Sequence, residues 1–472
     1  MSSIKKNYLY NVSFNLLNIC IPLITTPYLT RTLGANGMGV YSYSFSVAHF
    51  FVIFILLGLN NYGCREIAKC KDDCKKKEKT FWSIYSMQLF LGIVINGIYF
   101  VYGCFISEDK ITTLILSGYT LSACFDINWF FFGTENFKYT TIRNLVIKVI
   151  KTAAIFMFIK SPDDVYLYCI IMSGGLLINN LILWPHVLRT VKFILPEIKD
   201  ITVHIKPNLV LFITVISVTI FKYMDKVMLG LLSDMTQVGY YEASEKIISV
   251  PLAAITSLGT VMLPRVTNML AHNNEGYMET LHKSVIFAIF LSSVISFGIM
   301  GISREFVPLF YGEGYEICKY LYLILLPSCI FLAFANVIRT QYLLPKQMDK
   351  EYIISAILGA IVNLLINCIL VSRFGAIGVA IGTLAAEGVV CIYQSSVVAK
   401  KIYIGSFIYN SIPLILSGIV MFVCLYNITL SDFSALGSIF IKIAIGAIIY
   451  FLSLFIFALA FRVDYKKILM QK

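Results

Sequence analysis

Long apolar segments, separated by short polar connections, occupy most of this chain. A membrane-spanning helix needs roughly 20 mainly apolar residues to cross about 30 Å of hydrocarbon. The runs are continuous, whereas strands of a membrane barrel alternate polar and apolar positions over about 10 residues, so the segments indicate helices. We count fourteen, with approximate limits 8–30, 38–60, 80–102, 109–132, 141–159, 165–188, 208–231, 240–263, 283–303, 317–338, 351–371, 376–397, 406–427 and 435–461.

The composition points to the same class of protein. Of the 472 residues, 58% are apolar and 14% are charged, whereas soluble domains are about 45–50% apolar and about 25% charged. This excludes a cytosolic enzyme, a disordered chain and a secreted disulfide scaffold. The first segment follows Lys5 and Lys6 and has no clear cleavage site, so we expect it to be retained as a span. The predicted fold is an all-α integral membrane protein with about 14 transmembrane helices.

Basic residues predict the orientation. Twenty-six of the 38 Lys and Arg lie in connections on the side that carries both termini, and six lie on the other side. Cytoplasmic loops carry the excess of basic residues, so both termini are predicted to be cytoplasmic. This count places Arg143 in a cytoplasmic connection. The net charge of +12 follows mainly from this topology and gives no reason to expect a nucleic-acid partner.

A weak internal repeat suggests two halves. Gly, Tyr and Ser of the sequence GVYSYS at 39–44 recur in GYYEAS at 239–244, two segments that lie six helices apart. A six-plus-six duplication with two extra helices fits this spacing, and chance similarity competes with it. The predicted organisation is an N-terminal six-helix lobe over 1–190, a cytoplasmic linker over 191–207, a pseudo-symmetric C-terminal six-helix lobe over 208–400, and a helix pair with its tail over 401–472.

Basic side chains inside the apolar segments are candidates for cargo binding, because a charge in the bilayer centre costs at least about 2.5–3.5 kcal/mol. Lys148 and Lys151 are three apart and share a helix face. They form the wall of a cavity for an anionic cargo, or, if the span is shifted, they reach the cytoplasmic interface. Arg31 is either an anion contact at the outer mouth or an interfacial anchor. Lys222 and Lys226 lie in the seventh segment.

Acidic side chains in the segments are candidates for coupling to protons or cations, with structural hydrogen bonding as the alternative. They are Asp126, Asp225, Glu245 and Glu387. Glu242 and Lys246 are four apart, in the order that favours an ion pair. We expect His49 to be packed and neutral, and Lys442 to face a packing seam.

Catalytic motifs are missing from the sequence. It contains no HExxH, GxSxG, Walker or DxD motif, so we predict no enzyme activity, no cofactor and no metal site. Most of the twelve cysteines lie in apolar segments, where they behave as small apolar residues.

Four stretches, in the same order along the chain, resemble polysaccharide flippases of the Wzx type in the multidrug/oligosaccharidyl-lipid/polysaccharide exporter superfamily. They are PLITTPYLTRTLGANGMGVY at 22–41, NWFFFGTENFKYTTIRN at 128–144, DKVMLGLLSDMTQVGYYEASEKI at 225–247 and RFGAIGVAIGTLAAEGV at 373–389. The resemblance covers nearly the whole chain, and the four stretches are specific together rather than singly.

The resemblance implies two six-helix lobes and a C-terminal pair around a central cationic cavity. It implies a cargo of undecaprenyl-pyrophosphate-linked oligosaccharide, O-antigen or capsule units, flipped from the cytoplasmic to the outer leaflet of a bacterial inner membrane. The diphosphate would be the partner of the five basic candidates, Arg31, Lys148, Lys151, Lys222 and Lys226. A monomer working beside a polysaccharide polymerase is expected.

Three alternatives remain at this point, and one of them is a lipid II flippase, which differs only in its cargo. A cation-coupled multidrug exporter of the same superfamily would favour carboxylates in its cavity, whereas lysines at bilayer depth here match or outnumber acids. A membrane-embedded polymerase or acyltransferase would need a large outer loop or a catalytic His/Asp/Arg set, and the predicted outer loops are short.

Overall fold

The computed structural model describes residues 20–70, 73–272, 276–430, 432–465 and 468. In these residues the chain forms α-helices and no strand. Helices of the first half are α1 (20–32, its described part), α2 (Gly34–Leu56), α3 (Leu59–Lys69), α4 (Cys74–Phe105), α5 (Lys110–Cys124), α6 (Asn128–Gly133), α7 (Phe137–Phe158), α8 (Val165–Leu181), α9 (Trp184–Thr190) and α10 (Ile198–Thr202).

The second half begins with two long helices and continues with shorter ones. The helices are α11 (Ile205–Leu232), α12 (Met235–Ala271), α13 (Tyr277–Tyr311), α14 (Ile317–Ile338), α15 (Asp349–Phe374), α16 (Ala376–Ala399), α17 (Gly405–Asn427) and α18 (Ala435–Ala460). A 3₁₀ turn (Pro162–Asp164) precedes α8, and a π-helical turn (Arg339–Leu343) follows α14.

The chain divides into two compact units, Met1–Gly230 and Leu231–Lys472, with the boundary inside α11. In the first unit, one buried apolar cluster includes Tyr41, Leu116 and Tyr168, and a second includes Phe81 and Trp129. The lobe limits drawn from the sequence stay a prediction.

Each of the fourteen predicted segments coincides with helix where it is described, which confirms the all-helical membrane fold. Residues 8–19 of the first predicted segment lie outside the described residues. Ten described helical stretches are long and apolar enough to cross a membrane. Large apolar side chains on their outer faces are exposed, as Phe90 on α4 and Phe455 on α18 are. Such faces suit contact with lipid rather than water.

Two predicted spans are each broken into two helices. The segment 109–132 contains α5 and α6, and the segment 165–188 contains α8 and α9. At the first break, Asp126 Oδ1 accepts hydrogen bonds from the backbone and side-chain amides of Asn128, which compete with helix continuation. At the second, Pro185 lacks an N–H and begins the new helix.

The predicted linker, which is part of the first unit, is held to earlier helices of that unit by specific contacts. Lys79 Nζ is 2.8 Å from Asp200 Oδ2, and Tyr62 Oη is 2.6 Å from His204 Nδ1. Burial lowers the pKa of His204, while Glu66 and Asp200 raise it by less. The neutral imidazole is therefore the form that this contact favours.

The second unit is built around α13 and α16. Helix α13 packs on α12, α14, α17 and α18, while α16 packs on α14 and α15. Within it, Glu242 pairs with Lys246 at 2.8 Å, which confirms that expected ion pair. The Gly, Tyr and Ser positions of the weak repeat are buried in both α2 and α12.

Candidate functional site

The two broken helices of the first unit are held together at their breaks. The indole N–H of Trp184 donates to the carbonyl of Phe125 at 3.1 Å, and Asn180 Nδ2 donates to the carbonyl of Ser122 at 2.8 Å. Carbonyls freed by one break are thus satisfied by side chains near the other. Broken helices at membrane depth are tolerated where they are buried in protein or line a cavity, and they often mark binding sites.

Gln88 in α4 completes this arrangement. Its Nε2 donates to the carbonyls of Ala123 at 2.7 Å and Asp126 at 2.9 Å. Its Oε1 accepts the indole N–H of Trp129 at 3.2 Å. A fully buried glutamine therefore fixes the ends of α5 and α6 against α4.

A cavity of about 340 Å³ lies next to the breaks, entirely within the first unit. This is at the lower end of the roughly 300–1,000 Å³ typical of small-molecule sites. Its polar lining contains one carboxylate, one guanidinium, an imidazole, a serine hydroxyl and five amides, namely Asp126, Arg143, His49, Ser122, Asn60, Asn128, Asn144, Asn179 and Asn180. The aromatic side chains of Tyr119 and Phe132 also line it.

Arg143 is the cation of this cavity. Its side chain is 6% exposed, and its Nη2 donates to Asn144 Oδ1 at 2.7 Å and to Asn128 Oδ1 at 2.9 Å. The other terminal nitrogen, Nη1, is buried and has no hydrogen-bond partner in the described structure. The guanidinium is therefore fixed in place with donor capacity to spare.

Asp126 supplies the opposite charge. Asn128 connects it to Arg143, because Asn128 Nδ2 donates to Asp126 Oδ1 at 2.7 Å while Asn128 Oδ1 accepts from Arg143. Asp126 and Arg143 interact electrostatically, yet no ion pair within 4.0 Å joins them in the described residues. Asp126 Oδ2 likewise has no hydrogen bond to a described residue. Asp126 and Arg143 therefore compensate each other's charge without a direct hydrogen bond, and each keeps hydrogen-bonding groups for a ligand.

A series of aromatic side chains lies between the cavity and the lysines of α11. His49 Nδ1 is 2.6 Å from Tyr119 Oη, and the His49 ring lies 4.1 Å from the ring of Tyr223. The ammonium groups of Lys222 and Lys226 are 5.5 and 5.9 Å from the same Tyr223 ring. Two of the predicted cations therefore lie near a residue in direct contact with the cavity wall. Lys222 is exposed and Lys226 is buried.

The other predicted cations lie outside the cavity lining. Lys148 and Lys151 are partly buried on α7, and helical spacing puts Lys148 one turn beyond Asn144 on the same face. The stem of Lys151 packs against Gly175 of α8, where a side chain would collide with it. Arg31 is exposed at the end of α1 and bonds the Pro27 carbonyl of its own helix at 3.3 Å.

The predicted acids are not brought together as a group. Asp126 lines the cavity, whereas Asp225 is buried on α11 outside its lining. Glu245 is half-buried on α12 of the second unit. Glu387 is buried on α16 and interacts electrostatically with Arg339 of the π-helical turn.

The family model for "Polysaccharide biosynthesis protein" matches residues 4–270, more than half of the chain. The chain belongs to this polysaccharide biosynthesis family. The match contains the whole cavity lining and the lysines of α7 and α11.

One relative and two solved structures are similar to most of this chain. The "Putative O-antigen transporter" of Escherichia coli (strain K12) is 22% identical over 391 residues, 82% of this chain and 94% of the relative. A lipid II flippase MurJ in an inward closed conformation superimposes with a TM-score of 0.75 at 17% identity, covering 96% of this chain and 99% of that one. An inward-facing multidrug resistance MATE transporter of the MOP superfamily gives 0.60 at 13% identity, covering 89% and 99%. These two likenesses establish the fold.

Arg143 lies inside α7, as the predicted segment 141–159 has it, and not in a connection. The charge count put it in a cytoplasmic connection, whereas it lies inside α7 with its guanidinium buried in the cavity wall. His49 was expected to be packed, and it also lines the cavity. One signal was available: Asn128, Arg143 and Asn144 all belong to the quoted stretch 128–144.

Lys442 was assigned to a packing seam without a functional role. Its Nζ lies 2.7 Å from Glu305 Oε1, in an ion pair between α18 and α13. The lysine side chain is fully buried. This pairing satisfies the charge locally, so it gives Lys442 a structural role.

Proposed function

We propose that this chain is a flippase that moves lipid-linked oligosaccharide repeat units from the cytoplasmic to the outer leaflet for cell-surface polysaccharide synthesis. The observation that carries the proposal is the family match over 4–270, in a chain that consists of membrane-type helices. The likeness to a transporter from Escherichia coli over 82% of the chain and the flippase-like fold support it. The chain acts as a transporter and not as an enzyme.

The basic residues of the first unit are proposed to hold the diphosphate of an undecaprenyl-pyrophosphate-linked cargo. Lys148 and Lys151 on α7, Lys222 and Lys226 on α11, and Arg31 on α1 carry this role. A positive site lowers the free energy needed to take phosphate charge through a low-dielectric region. The lipid tail stays in the bilayer while the glycan crosses in a hydrated path by alternating access.

The energy source is proposed to be an ion gradient that acts on membrane-embedded acids. The coupling candidates are Asp126, Asp225, Glu245 and Glu387. Asp225 and Glu387 are buried and the other two are half-buried, which fits such a role. We place the protein in the bacterial inner membrane with cytoplasmic termini, as a monomer beside a polysaccharide polymerase.

A leaflet assay in the native host tests the function. The gene is deleted, the glycosyltransferases are kept, and the location of undecaprenyl-linked repeat units is determined. Accumulation on the cytoplasmic face that is reversed by the intact chain is the expected result. Absence of accumulation, together with raised sensitivity to cationic drugs, would overturn the flippase and favour a multidrug exporter.

The role of the α7 lysines is tested separately. Replacing Lys148 and Lys151 with Gln, with membrane expression preserved, should stop polysaccharide export because both charges of the wall are lost. Lys138→Gln is the matched control, since Lys138 is exposed at the start of the same helix. Wild-type export from the double variant would exclude a cargo-binding role for these lysines.

A further inference from the structure

The cavity at the helix breaks differs in charge from the proposed diphosphate site. It contains one carboxylate and one guanidinium, and the remaining polar lining is mostly uncharged amide. A phosphate would lie near the Asp126 carboxylate, and a cation would lie near the Arg143 guanidinium. Repulsion from the neighbouring like charge disfavours the binding of either ligand. A neutral ligand with many hydroxyl groups meets neither penalty.

The hydrogen-bonding groups that remain available fit hydroxyl groups. Arg143 Nη1 is a buried donor without a partner, and Asp126 Oδ2 is an acceptor without one among the described residues. The side-chain amides of Asn60 and Asn179 make no hydrogen bond to any described residue, so each offers a full amide group. A hydroxyl group both donates and accepts, and can therefore satisfy a carboxylate and a guanidinium in one ring.

The shape and the walls of the cavity agree with this chemistry. Tyr119 and Phe132 present aromatic rings beside the polar groups. Rings of this kind pack against the apolar C–H faces of a sugar. Two of the lining residues, Asn60 and Phe132, are exposed, so the cavity is accessible from outside. Its volume of about 340 Å³ suits a small polar ligand.

We propose that the cavity lined by Asp126, Arg143, Asn60 and Asn179 is a carbohydrate site that binds neutral sugar hydroxyl groups of the cargo glycan. This rests on the proposed flippase function and deepens it, because glycan and diphosphate then bind different residues. Arg143 donates to an acceptor oxygen of the sugar, and Asp126 accepts from a hydroxyl group. The free amides of Asn60 and Asn179 complete the recognition.

The test measures binding of the glycan without its lipid. Lipid-linked repeat units are extracted from the deletion host, and mild acid releases the free oligosaccharide, which is the probe. The purified full-length protein in nanodiscs is titrated with this probe, and tryptophan fluorescence reports binding. All three tryptophans lie in the first unit, and Trp184 bonds the carbonyl of Phe125, the neighbour of Asp126.

Asn179→Ala and Asn60→Ala are the informative variants, because neither removes a hydrogen bond to a described residue. Each should weaken binding of the free glycan about fivefold, the effect of losing one hydrogen bond. Asn427→Ala is the matched control, since Asn427 is exposed on α17 and bonds only the Val423 carbonyl of its own helix. It should bind as the wild type does.

Inorganic pyrophosphate separates the two proposed sites. Pyrophosphate should not compete with the free glycan, because the Asp126 carboxylate faces the cavity. Competition, unchanged affinity in both Asn variants, or absence of glycan binding would each overturn the carbohydrate site. If lipid-linked glycan accumulates on the cytoplasmic face but the Asn variants bind normally, the flippase function stands and only this inference fails. If none accumulates, both fail.

Discussion

Replacing Arg143 with Met is the most informative single perturbation of the first unit. Methionine keeps an apolar stem in the space of the arginine stem but removes the guanidinium. Two short hydrogen bonds to amide oxygens, at 2.7 and 2.9 Å, are lost, together with a longer one from Nε at 3.2 Å that shares the acceptor Asn144 Oδ1. Bonds from a charged donor contribute about 1.5–3 kcal/mol each. Because the amide oxygens can take up cavity water, we expect a loss near the lower end, about 3 kcal/mol in the free energy of unfolding.

The measurement is unfolding of the purified protein in mixed micelles by titration with SDS, followed by tryptophan fluorescence. Lys138→Met, on the same helix but exposed, is the matched control and should change the free energy by less than about 0.5 kcal/mol. If Arg143→Met lies within about 0.5 kcal/mol of this control, the guanidinium does not organise the cavity and the reasoning is refuted.

A double-mutant cycle with Asp126→Asn isolates the electrostatic part. The asparagine keeps an oxygen for the amide of Asn128 but loses the negative charge. Because Asp126 and Arg143 interact through the cavity, we expect a coupling energy of about 1–2 kcal/mol, within the range for residues of one network. Additive effects within about 0.5 kcal/mol would show that the two charges act independently.

Two further predictions concern sites outside the cavity. Lys442→Met should lower the free energy of unfolding by about 3–5 kcal/mol in the same assay, because it leaves Glu305 partly buried without its cation. Adding Glu305→Leu should recover most of this loss. Equal losses in the single and the double variant would contradict the structural role of the ion pair. Exchange of linker amides with deuterium, corrected for intrinsic rates, should rise as the pH falls below about 6.5, because the pKa of His204 is lowered in the folded state and its protonation opposes the contact with Tyr62. The ion pair of Asp200 holds the pKa of that carboxyl below its usual range, so it persists there, and a His204→Gln variant should show no such rise.

The fold could be predicted from the sequence because the decisive signal is local. A run of about 20 apolar residues has one stable arrangement in lipid, a helix whose backbone groups are satisfied internally. The breaks in the fourth and sixth segments have local signals, Asp126 with Asn128 in one and Pro185 in the other, but the contacts that stabilise the broken ends are tertiary. Gln88 on α4 and Trp184 on α9 satisfy the freed carbonyls, and no property of 109–132 alone reveals those partners.

The candidate site is harder to predict from the sequence than the fold is, because it depends more on tertiary contacts. Ionisable residues inside apolar runs can be recognised from sequence, and Asp126 was found in this way. The partner of each charge cannot be read from the same pattern. Lys442 has Glu305 at 2.7 Å, whereas Arg143 keeps one buried nitrogen without a partner. Both are buried cations, and only the second retains the capacity to bind something else.

This difference gives a physical rule for interpreting charges in such a chain. A buried cation that is paired with an acid has its charge compensated by that contact, and breaking the pair destabilises the fold. A buried cation held by neutral amides, as Arg143 is held by Asn128 and Asn144, is positioned without a direct ion pair to a described acid. Neutral amides fix geometry while they leave charge and donor capacity for a ligand. The count of basic residues obscured Arg143, because such a count treats every basic residue near a helix end alike. The burial and the contacts of a basic residue, rather than its charge alone, therefore distinguish a residue that binds a ligand from one that only sets the orientation of the chain.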